Sequence, residues 1–309
     1  MKDINKWQAR FYEIETKEAH IVVKTEEESG EEVPYVAFRV LEEIPWLSSG
    51  FSTRLGGVSQ GIFESMNLGF GRGDEEADVE ENLRRMLYVL EIEKDKIAFS
   101  EQVHKTEVQT VAAKDCTGLY GKLKETDGMV TGEAGIALAA SFADCVPILL
   151  VDKEKKVIAN VHSGWRGTVG KISAAAVEKM CREYGCEPED ILAVIGPSIC
   201  QDCYEIGEDV ARQFLSFLRE PSMREAAGSY REEERGFPAV LKKKRDADGK
   251  YLLDLWLANE LVLLSAGIPH RNIHVSGICT CCHPDVFFSH RASNGQRGNL
   301  NAFLKIKES

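Results

Sequence analysis

The sequence predicts an α+β fold, with α/β-type units inside one domain and a mixed β-sheet core flanked by helices. Three observations carry that prediction. Short apolar runs bounded by polar turns crowd the middle of the chain, at 136–140, 146–151 and 157–161, as buried strands require. The third run enters HSGWRGT and then a stripe of Val169, Ile172, Ala176 and Met180 at helical spacing, ended by Gly185 and Pro188 before another apolar run at 191–195. Strand, glycine-containing turn, helix and strand in that order form an α/β unit. No internal repeat or low-complexity linker divides the 309 residues, so one domain over 1–309 is expected, with a variable N-terminal segment of about 1–50 and a charged insertion at about 220–248.

The other elements follow in chain order. Trp7, Phe11 and Tyr12, with the alternating segment His20 to Lys24, suggest an opening strand hairpin. The acidic run Glu26 to Glu32 reads as a solvated turn before a strand from Tyr35 to Val40. Phe51 to Gly69 is too polar for core and too aromatic for a linker, so it reads as an ordered loop, where sites tend to lie. A helix follows, with Asp78 as its cap and Val79, Leu83, Met86, Leu87 and Leu90 on one face. From Glu220 to Asp248 charge dominates, including REEER at 231–235 and KKKR at 242–245, and the stretch reads as an exposed insertion or helical excursion. Helical periodicity resumes from Tyr251 to Ala266. Ile273 opens a strand that leads into a Cys-rich and Arg-rich segment.

Composition narrows the function. With 38 basic and 50 acidic residues the formal charge is −12, which argues against a nucleic-acid binder. No stretch approaches the ~20 apolar residues of a membrane helix, and Met1 to Glu15 has no apolar segment like that of a signal peptide, so a cytoplasmic location away from membranes is expected. Nine cysteines is an odd number in a chain too long to need disulfide staples, which suits a reducing compartment and a few functional thiols.

Three residues stand out for chemistry: His104 in SEQVHKTEV, Cys145 in SFADCVPILL and His162 in ANVHSGWRGT. Cys145 begins one expected strand and His162 ends the next, so antiparallel pairing would bring them together at one edge of a sheet. Imidazole and thiolate are good zinc ligands, and three protein donors leave the fourth position open. Separations of 41 and 17 residues match no regular motif, and the residues alone leave a zinc triad, a Cys-His catalytic dyad and ordinary core residues all open. Cys200 and Cys203 form a CxxC, while Cys279, Cys281, Cys282 and His283 crowd into five residues; a redox pair, a structural zinc site and incidental thiols are the alternatives. Arg54 beside Gly56, Gly57 and Ser59 has the equipment to grip an anion, or forms only a turn. Ser163 to Thr168 repeats that chemistry, with Arg166, between a strand and a helix N-terminus. Asp144 is a candidate acid/base, or an N–H acceptor at the strand start.

Taken together, QVH, FADC-VPILL, VHSGWRGT, IGPSIC with CYEIG, and FFSHRAS resemble the YfiH-like family, proteins once called polyphenol oxidases or laccases and since associated with purine nucleoside metabolism. The resemblance runs from about Phe51 to the C-terminus and implies a YfiH/CNF1-like fold. It implies one catalytic zinc on His104, Cys145 and His162, with copper only adventitious. The implied reactions are phosphorolysis of inosine, guanosine and adenosine to base and ribose 1-phosphate, cleavage of methylthioadenosine, and deamination of adenosine to inosine. Water activated at zinc would attack C6 of adenine, and phosphate held by arginines would attack C1′ of ribose. Arg54 and Asn67, in the FSTRxGGxS and NLG elements, are the implied phosphate and ribose contacts; Arg166 and Arg291 are further anion contacts, and Asp144 would handle a proton on the purine. The partners implied are purine nucleosides and phosphate.

This sequence departs from the family pattern in three places: His290 where an aromatic residue is expected, Ala292 in place of a second arginine, and Met66 in place of leucine. Three other functions compete. A copper oxidase of phenols would want histidine-rich sites, yet the chain has seven histidines and no HxH pair. A thiol hydrolase would use Cys145 as nucleophile and His162 as base. A non-enzymatic binding protein would use the 220–248 segment as its contact surface.

Overall fold

In a computed structural model that describes residues 10–27, 30–228, 240–244 and 247–308, the first described element is a helical segment at 10–14. The hairpin of β1 (Ala19–Thr25) and β2 (Glu32–Phe38), a helical turn α1 (Arg39–Glu42), β3 (Leu47–Ser52) and α2 (Glu76–Val89) follow. The middle comprises β4 (Ile97–Ser100), β5 (Val108–Thr110), β6 (Lys122–Leu123), β7 (Gly128–Thr131), β8 (Ala137–Phe142), β9 (Val146–Asp152) and β10 (Val157–Ser163). Next come α3 (Trp165–Val169), α4 (Ile172–Tyr184), β11 (Ile191–Ile195), β12 (Glu205–Gly207), α5 (Glu208–Phe217) and α6 (Pro221–Gly228). The chain closes with β13 (Leu241–Lys243), β14 (Lys250–Leu253), α7 (Leu255–Ser265), β15 (Ile273–Val275) and β16 (Leu300–Ile306).

Two mixed sheets carry the molecule. One runs β1-β2-β3-β16-β8-β4-β6 and the other β15-β11-β9-β10-β7-β5, with β12-β14-β13 as a small third sheet. Side-chain alternation decides how they stack. Leu138, Ala140 and Phe142 of β8 share a core with Leu149 and Val151 of β9, between the two sheets. On the opposite face of β8, Ala137 and Ala139 meet Leu83, Met86 and Leu87 of α2. On the opposite face of β9, Ile148 and Leu150 meet helices α4, α5 and α7. The result is helix, sheet, sheet, helix, which meets the expectation of a mixed sheet core flanked by helices. Asn160 crosses between the sheets: fully buried on β10, it donates to the carbonyls of Leu138 at 3.1 Å and Ala302 at 2.9 Å.

Several expectations change on contact with the fold. Phe11 and Tyr12 belong to the helical segment, and the hairpin pairs β1 with β2 across the acidic run, as His20↔Ala37 and Lys24↔Val33. Trp7 lies outside the described residues. Glu26 in that run is fully buried, because its carboxylate takes the Arg84 guanidinium of α2 at 3.1 Å. Asp78 sits inside the first turn of α2, where a negative charge suits the helix dipole; Glu75 holds the cap position. Tyr251 to Leu253 extend as β14 because β12 and β13 pair on either side, and the helix starts only where Asp254 Oδ1 caps the Leu257 N–H at 2.9 Å. The charged stretch contributes Met223, Ala226 and Val240 to the core, while REEER and Arg245 lie outside the described residues. The segment after the cysteines ends in β16, a central strand between β3 and β8. Elements β10, α4 and β11 do form an α/β unit, but with β9 antiparallel between its two strands, and Val169 of the expected stripe ends α3 while α4 starts at Ile172 after a left-handed Lys171.

Replacing Asn160 with alanine removes two buried hydrogen bonds that join the sheets. A loss of about 2–3 kcal/mol is expected, measured as a lower denaturant midpoint at unchanged slope.

Candidate metal centre

The antiparallel register of β9 and β10 pairs Ser163 with Val146 and His162 with Pro147. Cys145, one residue before β9, is therefore delivered to the end of β10, as the sequence anticipated. His104 arrives from the loop between β4 and β5. That loop is held by a residue that the sequence reading missed, Asp127, just ahead of β7. Its carboxylate accepts the backbone N–H groups of Val103 at 3.1 Å, His104 at 3.0 Å and Lys105 at 2.9 Å. The same carboxylate meets His162 Nδ1 at 2.9 Å. With Nδ1 taken, His162 presents Nε2 to the centre, the arrangement of a carboxylate–histidine pair at a metal site.

The donor atoms of His104, Cys145 and His162 all lie within 4.8 Å of one another. Cys145 Sγ is 3.9 Å from His104 Nε2, and the imidazole rings stand edge to face at 4.8 Å between centroids. Backbone strain accompanies this convergence: His104 has φ 59° and Asp144, the residue before Cys145, has φ 84°, both in the left-handed region that costs non-glycine residues ~1–3 kcal/mol. Gly164 keeps the centre open, since a Cβ there would come within 3.1 Å of both Cys145 Sγ and His104 Cδ2. His162 is buried, Cys145 half-buried and His104 exposed, so the open side faces solvent across His104.

Charge is concentrated here. Burial opposes ionisation of the Cys145 thiol, but His162 and His104 outweigh it and bring its pKa down to about 6. Burial likewise disfavours a charged His162, yet the Cys145 thiolate and Asp127 lift its pKa to about 9. Asp127 is held below the usual carboxylate range, against its burial, by His162 and the backbone N–H groups. Two imidazoles and a thiolate, one open direction and a side-chain-free cradle suit a divalent cation with tetrahedral preference.

The remaining sequence-predicted residues fall in three places. Asp144 Oδ1 accepts Thr280 Oγ1 at 2.7 Å and Oδ2 accepts the Arg291 N–H at 2.7 Å, so the carboxylate is fixed beside Cys145. Arg54 lines a cleft of about 160 Å³ with Phe287, Phe288, Ala292 and Arg297. Its guanidinium lies 4.6 Å from the Phe288 ring centroid and donates through Nε to Glu64 O and through Nη1 to Pro284 O, both at 2.8 Å. Asn67 is buried with its amide engaged by Asp74, Gly69 and Asn299; together with Asn82 of α2 it pins the 51–69 loop. Arg291 donates to the carbonyls of Cys203 and Glu205, at 3.1 and 2.8 Å. Arg166 is exposed and stacks 4.2 Å from the Trp165 ring centroid, at the start of α3.

Arg297 is the second residue that sequence reasoning missed. Its Nε is buried without a hydrogen-bond partner among the described residues. Burial first, and then the nearby Arg72 cation, depress its pKa to about 10, against the pull of Asp144 and Cys145. It lines the same cleft as Ala292 and lies within electrostatic reach of Cys145, which itself does not line that cleft.

Three convergent donors on an edge of one of two stacked sheets define a protein built around a candidate metal centre. Residues 48–307 match the family described as "Multi-copper polyphenol oxidoreductase laccase", and the chain belongs to it. It is 35% identical over 266 residues to a Bacillus subtilis protein named purine nucleoside phosphorylase YlmD, covering 84% of this chain and 88% of that one. It is 38% identical over 256 residues to a purine nucleoside phosphorylase of Deinococcus radiodurans, covering 83% and 88%. A protein named adenosine deaminase RL5, from an unknown prokaryotic organism, is 35% identical over 246 residues, covering 78% and 87%. The crystal structure of YlmD from Geobacillus stearothermophilus superposes with a TM-score of 0.77 at 33% identity, covering 89% of this chain and 96% of that one.

Asp127→Asn removes the charge that orients His162 and the 103–105 loop. A 10–100-fold weaker metal affinity is expected in a chelator competition. Unchanged affinity would show that Asp127 only supports the loop.

Proposed function

We propose that this chain is a zinc-dependent purine nucleoside phosphorylase, acting on inosine, guanosine, adenosine and methylthioadenosine, that also deaminates adenosine to inosine. One observation carries the reading: an open His-Cys-His centre lies within electrostatic reach of a cleft lined by the half-buried Arg297, whose Nε is buried without a partner among the described residues and which has another cation nearby. A half-buried cation with a second cation beside it is a place for an anion. Relatives of comparable length named for phosphorolysis and deamination support the same substrate class.

Zinc suits two imidazoles and a thiolate, and when bound there it supplies Lewis acidity with no redox chemistry. The chain's own residues do the rest. His162, oriented by Asp127, and Cys145, already inclined to the thiolate, hold their donor atoms ready. Arg297 and Arg54 grip phosphate, so that one of its oxygens forms the bond to C1′ of ribose as the C1′–N9 bond breaks and the purine leaves with that electron pair. Asp144, fixed by Thr280 and the Arg291 N–H, handles the proton on the purine. In deamination, water adds at C6 and ammonia leaves. Asn67 and Arg291 serve by holding the loops in place.

A second reading draws on the low Cys145 pKa: a thiol hydrolase in which the thiolate attacks a carbonyl, the leaving group departs with a proton from His162, and water then hydrolyses the thioester and restores the thiol. Metal and substrate separate the two. Protein purified without added metal is expected to release hypoxanthine from inosine only when phosphate is present, and Cys145→Ala is expected to lose one zinc per chain and about 10³-fold in kcat/KM, roughly 4 kcal/mol. Turnover that survives complete zinc removal would support the thiol enzyme instead. Arg297→Ala is expected to raise the KM for phosphate about 10–100-fold with a smaller change in the KM for inosine, read from initial rates at varied phosphate.

A further inference from the structure

The two cysteine-rich motifs converge away from the first centre. β11 and β15 are parallel neighbours, pairing Ile195 with Val275, so the loops after them leave the same end of the sheet, and Ser198 bridges to Cys279. This brings together Cys200 and Cys203 from the first loop with Cys279 and Cys282 from the second. Each pair has CxxC spacing, and the four Sγ atoms all lie within 4.8 Å of one another. Cys203 Sγ is 3.5 Å and Cys200 Sγ 3.9 Å from Cys282 Sγ. Four thiolates around zinc at ~2.3 Å stand ~3.8 Å apart along the edges of the tetrahedron. The backbone N–H groups of Cys200 and Cys282 point at Cys279 Sγ, at 3.2 and 3.4 Å, and would stabilise a thiolate there. Cys281, between the second pair, instead packs against the apolar cluster under the helices.

We propose that Cys200, Cys203, Cys279 and Cys282 form a second metal site, a tetrahedral four-thiolate zinc site with a structural role. Its four ligands close it to substrate. The loops it joins also form a wall of the first centre: Thr280 donates to Asp144, Ile199 N–H donates to the Asp144 carbonyl, and Arg291 is anchored on the carbonyls of Cys203 and Glu205. The zinc therefore fixes Asp144 from outside the reacting atoms. This inference is independent of the reaction proposed above.

The test is elemental analysis of full-length protein purified under reductant without added metal, combined with mass-spectrometric mapping of iodoacetamide labelling. Wild type and Cys281→Ser are expected to carry about two zinc per chain, and Cys145→Ala and the double variant Cys203→Ser/Cys282→Ser about one each. Cys282, although exposed, is expected to resist alkylation until a chelator removes the metal. No zinc in Cys145→Ala, which keeps all four thiols and so tests the site even if the double variant misfolds, would overturn the proposal. So would iron in place of zinc, immediate alkylation of Cys282 in the native protein, or a Cys203–Cys282 disulfide. A full zinc complement retained in Cys145→Ala would count against the first centre and not against this one.

Discussion

Everything at the candidate centre depends on the Asp127 carboxylate. It stands where β7 begins, so the sheet fixes its position, and it binds three consecutive backbone N–H groups of the His104 loop as well as the imidazole of His162. One buried anion thus sets the separation of two donors that lie 58 residues apart in sequence. The desolvation that burial imposes on that anion is offset by four hydrogen bonds. The loop is held in a strained backbone conformation at His104 because these bonds over-determine it.

The two sheets supply the rigid frame. Cys145 and His162 lie at adjacent ends of neighbouring strands whose inner faces pack on β8 and β16 and whose outer faces pack on helices. A sheet buried on both faces has little freedom to shift register, since a one-residue slip would turn apolar side chains of one core into the other. Gly164, immediately after β10, adds the space that a metal and its open position need. The arginines of the cleft come instead from loops, Arg54 from the segment after β3 and Arg297 from the segment before β16. Each loop is tied down by buried asparagines, the first by its own Asn67 and by Asn82 of α2, the second by Asn299.

Much of this was legible in the sequence because the signals were local. The strands at 136–163, the α4 stripe and its Gly185 stop are periodic over short windows, and antiparallel pairing of Cys145 and His162 follows from one tight turn between them. The β16 strand was harder to see: Asn301 and Lys305 interrupt LNAFLKI, yet both are buried. Asp127 carried only the weak signal of an acid in KETDGMV, and its value depends on contacts at a range of 22 to 35 residues. Arg297 carries no signal in the local pattern; the burial of its Nε and its proximity to Arg72 and Asp144 exist only in three dimensions. The four-cysteine cluster shows both limits, since the CxxC spacings are visible in the sequence but their meeting requires β11 and β15 to be parallel neighbours.

The measurement that bears most directly on the account is inosine phosphorolysis by chelator-stripped protein before and after stoichiometric zinc is returned. The account predicts little hypoxanthine release from the stripped protein and recovery on adding zinc, with phosphate required throughout. Equal rates with and without zinc, or release that ignores phosphate, would contradict it.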